Sequence, residues 1–182
     1  MTTLNLKSVQ DEKGFTLVEL AVVMVIIGLL IGGILKGQEM IANQQVNSTI
    51  AQVKAIEAAV GTFRDIYDAF PGDMANADDR LPNCTGTCIV ADGTEGDNVL
   101  STSPLVAAGA DAAAFFPQLV AADLMAGTTG PSLPGKISNT AWYPGYTGGA
   151  ALGELDSPRA GHYMVLGTSA SPAAASLVPL EA

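Results

Sequence analysis

The chain has 182 residues, 48% of them hydrophobic and only 14% charged, with 20 glycines and a formal net charge of −10. Beyond Lys36 five basic residues (Lys54, Arg64, Arg80, Lys136, Arg159) face fifteen acidic ones, so the whole excess of negative charge falls there. Scattered cations on an acidic surface repel a phosphate backbone, which excludes nucleic acid as the natural partner.

The chain opens with a polar head that ends in Gly14, and from Phe15 to Leu35 the only charged residue is Glu19. As a helix that segment measures about 30 Å, the thickness of a bilayer's hydrocarbon core. Gly28, Gly32 and Gly33 lie within it, and small residues let membrane helices approach closely. A carboxylate in such a helix costs about 2.5–3.5 kcal/mol near the bilayer centre, so Glu19 needs either a cationic partner or access to the headgroups. An ordinary secretory signal places its apolar core before the cleavage site. Here the polar head comes first, and the apolar segment stays with the mature chain.

Lys13-Gly-Phe-Thr-Leu-Val-Glu19 followed by this apolar run resembles the type IV prepilin signature. The resemblance implies a precursor that prepilin peptidase cuts between Gly14 and Phe15 on the cytoplasmic side, with methylation of the new Phe15 N-terminus. It also implies that Glu19 pairs with the free α-amino group of a neighbouring subunit's Phe15. Many major pilins, and the major pseudopilin of type II secretion, carry proline where this chain has Lys36, so the resemblance leans towards a minor pilin or a pseudopilin.

From Val46 the apolar positions Val46, Ile50, Val53, Ile56, Val60, Phe63, Tyr67 and Phe70 recur in steps of three and four, one face of a helix. No proline interrupts residues 15–70, and Pro71-Gly72 is a stop signal. The spacing predicts one helix about 80 Å long; the alternative is an anchor and a separate amphipathic helix joined at Gly37, a residue that alone costs about 1 kcal/mol. The expected divisions are a leader over 1–14, a transmembrane and filament-core helix over 15–36, an amphipathic continuation over 37–70, and a globular domain over 71–182.

Tyr67 to Ala77 resembles a stretch that follows the long helix in a broad group of bacterial prepilin-type proteins, and Ala112 to Met125 resembles that group's second helix, with Pro117 predicting a kink or a late start. Ile137–Tyr143 and His162–Leu166 read as short strands. The expected fold is α+β, a long N-terminal helix packed on a small loop-rich domain with a short antiparallel sheet. Relatives in that group continue past a segment like Leu177 to Ala182, which implies either a natural short form or a C-terminally incomplete domain.

Cys84 and Cys88 are the only cysteines. In an oxidising compartment they close a small disulfide ring; the alternative is free thiols, and two cysteines fall short of a zinc site. Asp92, Glu95 and Asp97 crowd a glycine-rich stretch. Such acidic turns are mostly solvated surface; the alternative is a calcium loop, although the spacing is not that of an EF-hand. His162, the sole histidine, reads as structural, and no nucleophile or phosphate-loop motif points to an enzyme.

The reading at this level is a pilin-like subunit of the bacterial inner membrane. It passes the membrane once, with its C-terminal domain periplasmic or extracellular. It assembles through its N-terminal helix with other pilin-like subunits on an inner-membrane assembly platform, into a filament for adhesion, motility or type II secretion. The competing class is a single-span anchored binding domain that does not polymerise.

Overall fold

The computed structural model describes residues 14–90, 93, 95–101, 110–128, 130–137, 139–148, 159–168 and 177–180. The chain divides into two compact units, one ending at Gln44 and the other beginning at Gln45. A single helix, α1 (Leu17–Tyr67), continues from one into the other. It runs through Gly37 without a break, so the separate-helix alternative is excluded.

In the first unit α1 is apolar and bare. No residue of its most hydropathic 18-residue window is buried, and it is long and apolar enough to cross a membrane. Phe15 is 92% exposed and Leu17 86%. Lys36 and Glu39 form an ion pair at 2.7 Å after the apolar run, a position where charged side chains can reach water.

In the second unit α1 buries Ile56, Ala59, Val60 and Phe63, the i, i+3, i+4, i+7 spacing of one face. The periodic stripe predicted from Val46 is corrected at its start: Val46 and Ile50 are exposed, and packing begins at the half-buried Val53. Gln52 marks that border. Its Oε1 accepts from Trp142 Nε1 at 3.0 Å and its Nε2 donates to the Pro134 carbonyl at 2.8 Å, tying α1 to two strands.

The helix ends three residues before Phe70. Asp68 adopts φ +52° and donates to the Arg64 carbonyl at 2.9 Å, a left-handed C-terminal stop taken by aspartate instead of glycine. Arg80, closing the short α2 (Ala77–Arg80), donates from its guanidinium to the Tyr67 carbonyl, one of the acceptors a helix end leaves open. The chain then reverses at Phe70-Pro-Gly-Asp73, where Asp73 N–H bonds the Phe70 carbonyl at 3.1 Å and Gly72 takes φ +93°. Proline second and a positive-φ glycine third make a type II turn.

Helix α3 (Ala110–Ala121) begins seven residues before Pro117 and continues beyond it, so the late start expected from that proline is corrected. Burial supplies what propensity does not: Phe115, Phe116 and Leu119 are fully buried, and Phe116 meets Phe115 edge to face at 5.0 Å.

The strands β1 (Leu133–Pro134), β2 (Ala141–Gly148), β3 (Ala160–Gly167) and β4 (Leu177–Pro179) form an antiparallel sheet in chain order. The strand expected over 137–143 starts later, because Thr140 folds back on the Ile137 carbonyl through its N–H at 3.3 Å and its hydroxyl at 2.7 Å. Pro144 is tolerated inside β2 because β1 pairs only with Ala141 and Trp142, leaving β2 one-sided at that point. Pro134 and Pro179 sit on the two outer strands, where a missing donor discourages further strand pairing.

Candidate functional site: a capped, unpartnered N-terminal helix

Thr16 and Glu19 build the start of α1. Thr16 donates to Glu19 Oε2 twice, from its backbone N–H and its hydroxyl, each at 2.9 Å, and Glu19 N–H returns a bond to Thr16 Oγ1 at 3.3 Å. This reciprocal arrangement is a capping box, and the Thr-x-x-Glu spacing that announces it stands in the sequence. It satisfies backbone donors at a helix end where hydrocarbon offers no acceptor. Glu19 is therefore a helix cap in addition to whatever it binds, a role that the sequence reading left out.

Gly14 precedes the helix in irregular backbone, and a Cβ placed on it meets nothing within 4 Å. Among the described residues nothing requires glycine there. Gly28, Gly32 and Gly33 are equally open. Gly28 and Gly32 stand one turn apart on one face of α1, a Gly-x-x-x-Gly spacing that leaves room for another helix backbone.

The remaining sequence candidates lie in the second unit. Cys84 and Cys88 are joined in a disulfide with Cα atoms 5.4 Å apart, around a single 3₁₀ turn, Gly86–Cys88. Asp92 lies outside the described residues. Asp97 Oδ1 accepts from Val99 N–H at 2.8 Å, an Asx turn of its own loop. Among the described residues no group of three or more His, Cys, Asp or Glu side chains is arranged to hold a metal ion. His162 is buried in β3, stacked on Phe70 with ring centroids 3.8 Å apart and tilted against Tyr146 at 5.2 Å. A groove of about 580 Å³ between α1 and the segments around Met125 and Pro134 has Lys136 as its one charged side chain among the described residues, which show no acid–base pair there.

What orders the acidic loop is Asp73. Its side chain is 1% exposed; Oδ1 accepts from Gly96 N–H at 2.8 Å and Oδ2 from Asn98 N–H at 2.6 Å. A buried carboxylate thus gathers the backbone donors of Gly96 and Asn98 across a separation of more than twenty residues.

Burial pushes the Asp73 carboxyl above its ordinary 3.8, the Gly96 and Asn98 donors pull it back, and the carboxylates of Asp97 and Asp111 raise it further. A carboxyl raised on folding holds its proton to higher pH in the folded chain than in the unfolded one. Its contribution to stability therefore falls as pH rises from about 4 through the folded value. The stability of the wild type relative to Asp73→Asn should decline over that window. Denaturation midpoints of the two proteins measured across pH check it, and a wild-type stability that rises with pH relative to the variant would show a depressed carboxyl instead.

No curated protein and no solved structure matches this chain. A family model does match at the N-terminus, over residues 10–35. These residues hold Gly14, Phe15, the capping box of Thr16 and Glu19, and the bare apolar part of α1. The chain carries the prokaryotic N-terminal methylation motif, the signature of type IV pilins and pseudopilins.

Proposed function

We propose that this protein is a minor pilin or pseudopilin, made as a precursor, cut after Gly14 by prepilin peptidase, and assembled through α1 into a thin filament based in the inner membrane. The carrying observation is the coincidence of the methylation motif with an apolar helical stretch that leaves a wide surface exposed and has no residue buried in its own chain. In a bilayer that surface is satisfied by lipid; in a filament it is satisfied by the same helix of other subunits. The motif and the helix fit a single-pass, membrane-anchored protein, and the motif's family is structural, not enzymatic.

Three further features support assembly. Open glycines at 28 and 32 leave room for a neighbouring backbone. Glu19 is a carboxylate in a segment where an unpaired charge is costly, and a neighbouring Phe15 ammonium would match it. The open surroundings of Gly14 leave the demand for glycine to an external agent such as the peptidase. Lys36, where many major pilins have proline, favours a minor or pseudopilin role.

Processing is the direct test. In cells with active prepilin peptidase, mass spectrometry of the membrane-extracted protein should find Phe15 at the N-terminus, methylated. Replacing Gly14 with a bulky residue should leave the precursor uncut while leaving α1 undisturbed. A wild-type protein that still begins at Met1 or Thr2 in such cells would remove the reading.

A further inference from the structure

Gln118 is a buried glutamine that links two distant parts of the second unit. It is fully buried in α3. Its Oε1 accepts from Gly72 N–H at 2.6 Å, and its Nε2 donates to the Cys88 carbonyl at 3.1 Å. The Gly72 N–H can only donate and the Cys88 carbonyl only accept, so the amide has a single satisfying orientation. Cys88 is itself 2% exposed and is tied to Cys84 by the disulfide. A covalent ring, a buried amide and the type II turn after α1 therefore form one continuous chain of contacts.

We infer that the Cys84–Cys88 bridge is a redox latch on the Pro71–Gly72 turn, acting through Gln118, and that it closes once the domain reaches an oxidising compartment. The timing rests on the outward-facing domain of the proposed function; the coupling does not. Closure forms the Cys84–Cys88 S–S bond as the S–S bond of a disulfide-bearing oxidant breaks; two electrons and two protons pass to that oxidant, which leaves as a dithiol. With the ring closed the Cys88 carbonyl is held where Gln118 needs it. With the ring open that carbonyl drifts, Gln118 loses a partner in a place water does not reach, and its grip on Gly72 loosens. The ring is too small to add much global stability, since chain-entropy gains shrink with loop size. Its effect is local.

Amide hydrogen exchange at Gly72, on the full-length protein in detergent, reads the latch directly. Reduction and alkylation should speed exchange at Gly72 by about three- to tenfold, the equivalent of one ordinary hydrogen bond. In Gln118→Met exchange should already be fast, with reduction adding nothing more, because both changes break the same path. Unchanged exchange at Gly72 on reduction, or effects of reduction and Gln118→Met that multiply independently, would overturn the coupling. If Gln118→Met does not fold, a Cys84→Ala, Cys88→Ala double variant supplies the same comparison. Faster exchange at Gly72 with β2 and β3 unchanged supports the latch, and a uniform rise across the sheet overturns it. Alkylation in intact cells tests the timing separately. Thiols blocked until reduction support closure after export, whereas thiols found free overturn the timing and leave the exchange result intact.

Discussion

Glu19→Leu should insert in the membrane at least as well as wild type, be cut after Gly14, and fail to enter filaments. Removing a carboxylate from a membrane helix relieves a cost of about 2.5–3.5 kcal/mol near the bilayer centre, so the anchor itself gains. The capping box is lost at the same time, a penalty of about 1 kcal/mol at the helix start. Neither effect predicts a large assembly defect. If a neighbouring Phe15 ammonium pairs with Glu19 where water is scarce, losing the carboxylate leaves that ammonium uncompensated, a penalty of about 3–5 kcal/mol at each subunit contact. Crosslinking to other pilin-like subunits, and any secretion or motility that depends on the filament, should then fall by about two to four orders of magnitude.

Glu19→Gln separates the two roles of this residue. Glutamine also serves at this position of a capping box, so the bonds from Thr16 can persist, but it carries no charge for a partner amine. If ion pairing drives assembly, Glu19→Gln should fail nearly as badly as Glu19→Leu. A glutamine variant that crosslinks like wild type would reduce Glu19 to a helix cap, and the anchored domain that does not polymerise would become the better reading.

How much of this was legible in the sequence follows the range of the interactions involved. The apolar run, Gly14, Phe15 and Glu19 are read within one short stretch of sequence, and the family model matches that region. The unbroken α1 also follows from local rules, since one glycine at position 37 costs too little to break it. Even so, the Thr16–Glu19 capping box was overlooked while Glu19 was weighed only against lipid and partner. The register of the helix face was legible; its extent was not, because Val46 and Ile50 are exposed where the domain that would cover them does not reach. Strand boundaries shifted where a threonine, Thr140, bonded its own loop. The hydrogen-bonding roles of Asp73 and Gln118 were not legible for a different reason. Their partners lie 25 and 46 residues away, and no periodicity links a carboxylate or an amide to backbone groups at such distances.

Gly72→Ala should be the most damaging single methyl in the second unit, at about 4 kcal/mol, combining backbone strain with overpacking. At φ +93° an alanine is in a region L residues avoid, and its Cβ would stand 2.5 Å from the Asp111 carbonyl oxygen and 3.2 Å from Phe115 Cα. Those atoms are backbone of α3, so relief requires moving the helix. That in turn pulls Gln118 from the Gly72 N–H it accepts and strains the packing of Phe115 against Phe70, whose rings lie 6.0 Å apart. Two other glycines divide the effect into its parts. Gly86 has φ +60° with nothing within 4 Å of an added Cβ, so Gly86→Ala should cost only the conformational penalty, about 1 kcal/mol. Gly61 is helical with open surroundings, so Gly61→Ala should stabilise by up to about 1 kcal/mol. Trp142, the only tryptophan and 2% exposed, reports the unfolding of all three variants by fluorescence in denaturant. The order expected is Gly61→Ala above wild type, Gly86→Ala slightly below it, and Gly72→Ala far below. If Gly72→Ala unfolds together with Gly86→Ala, the turn is not pressed against α3, and the contact through which Gln118 holds it would lose its structural basis.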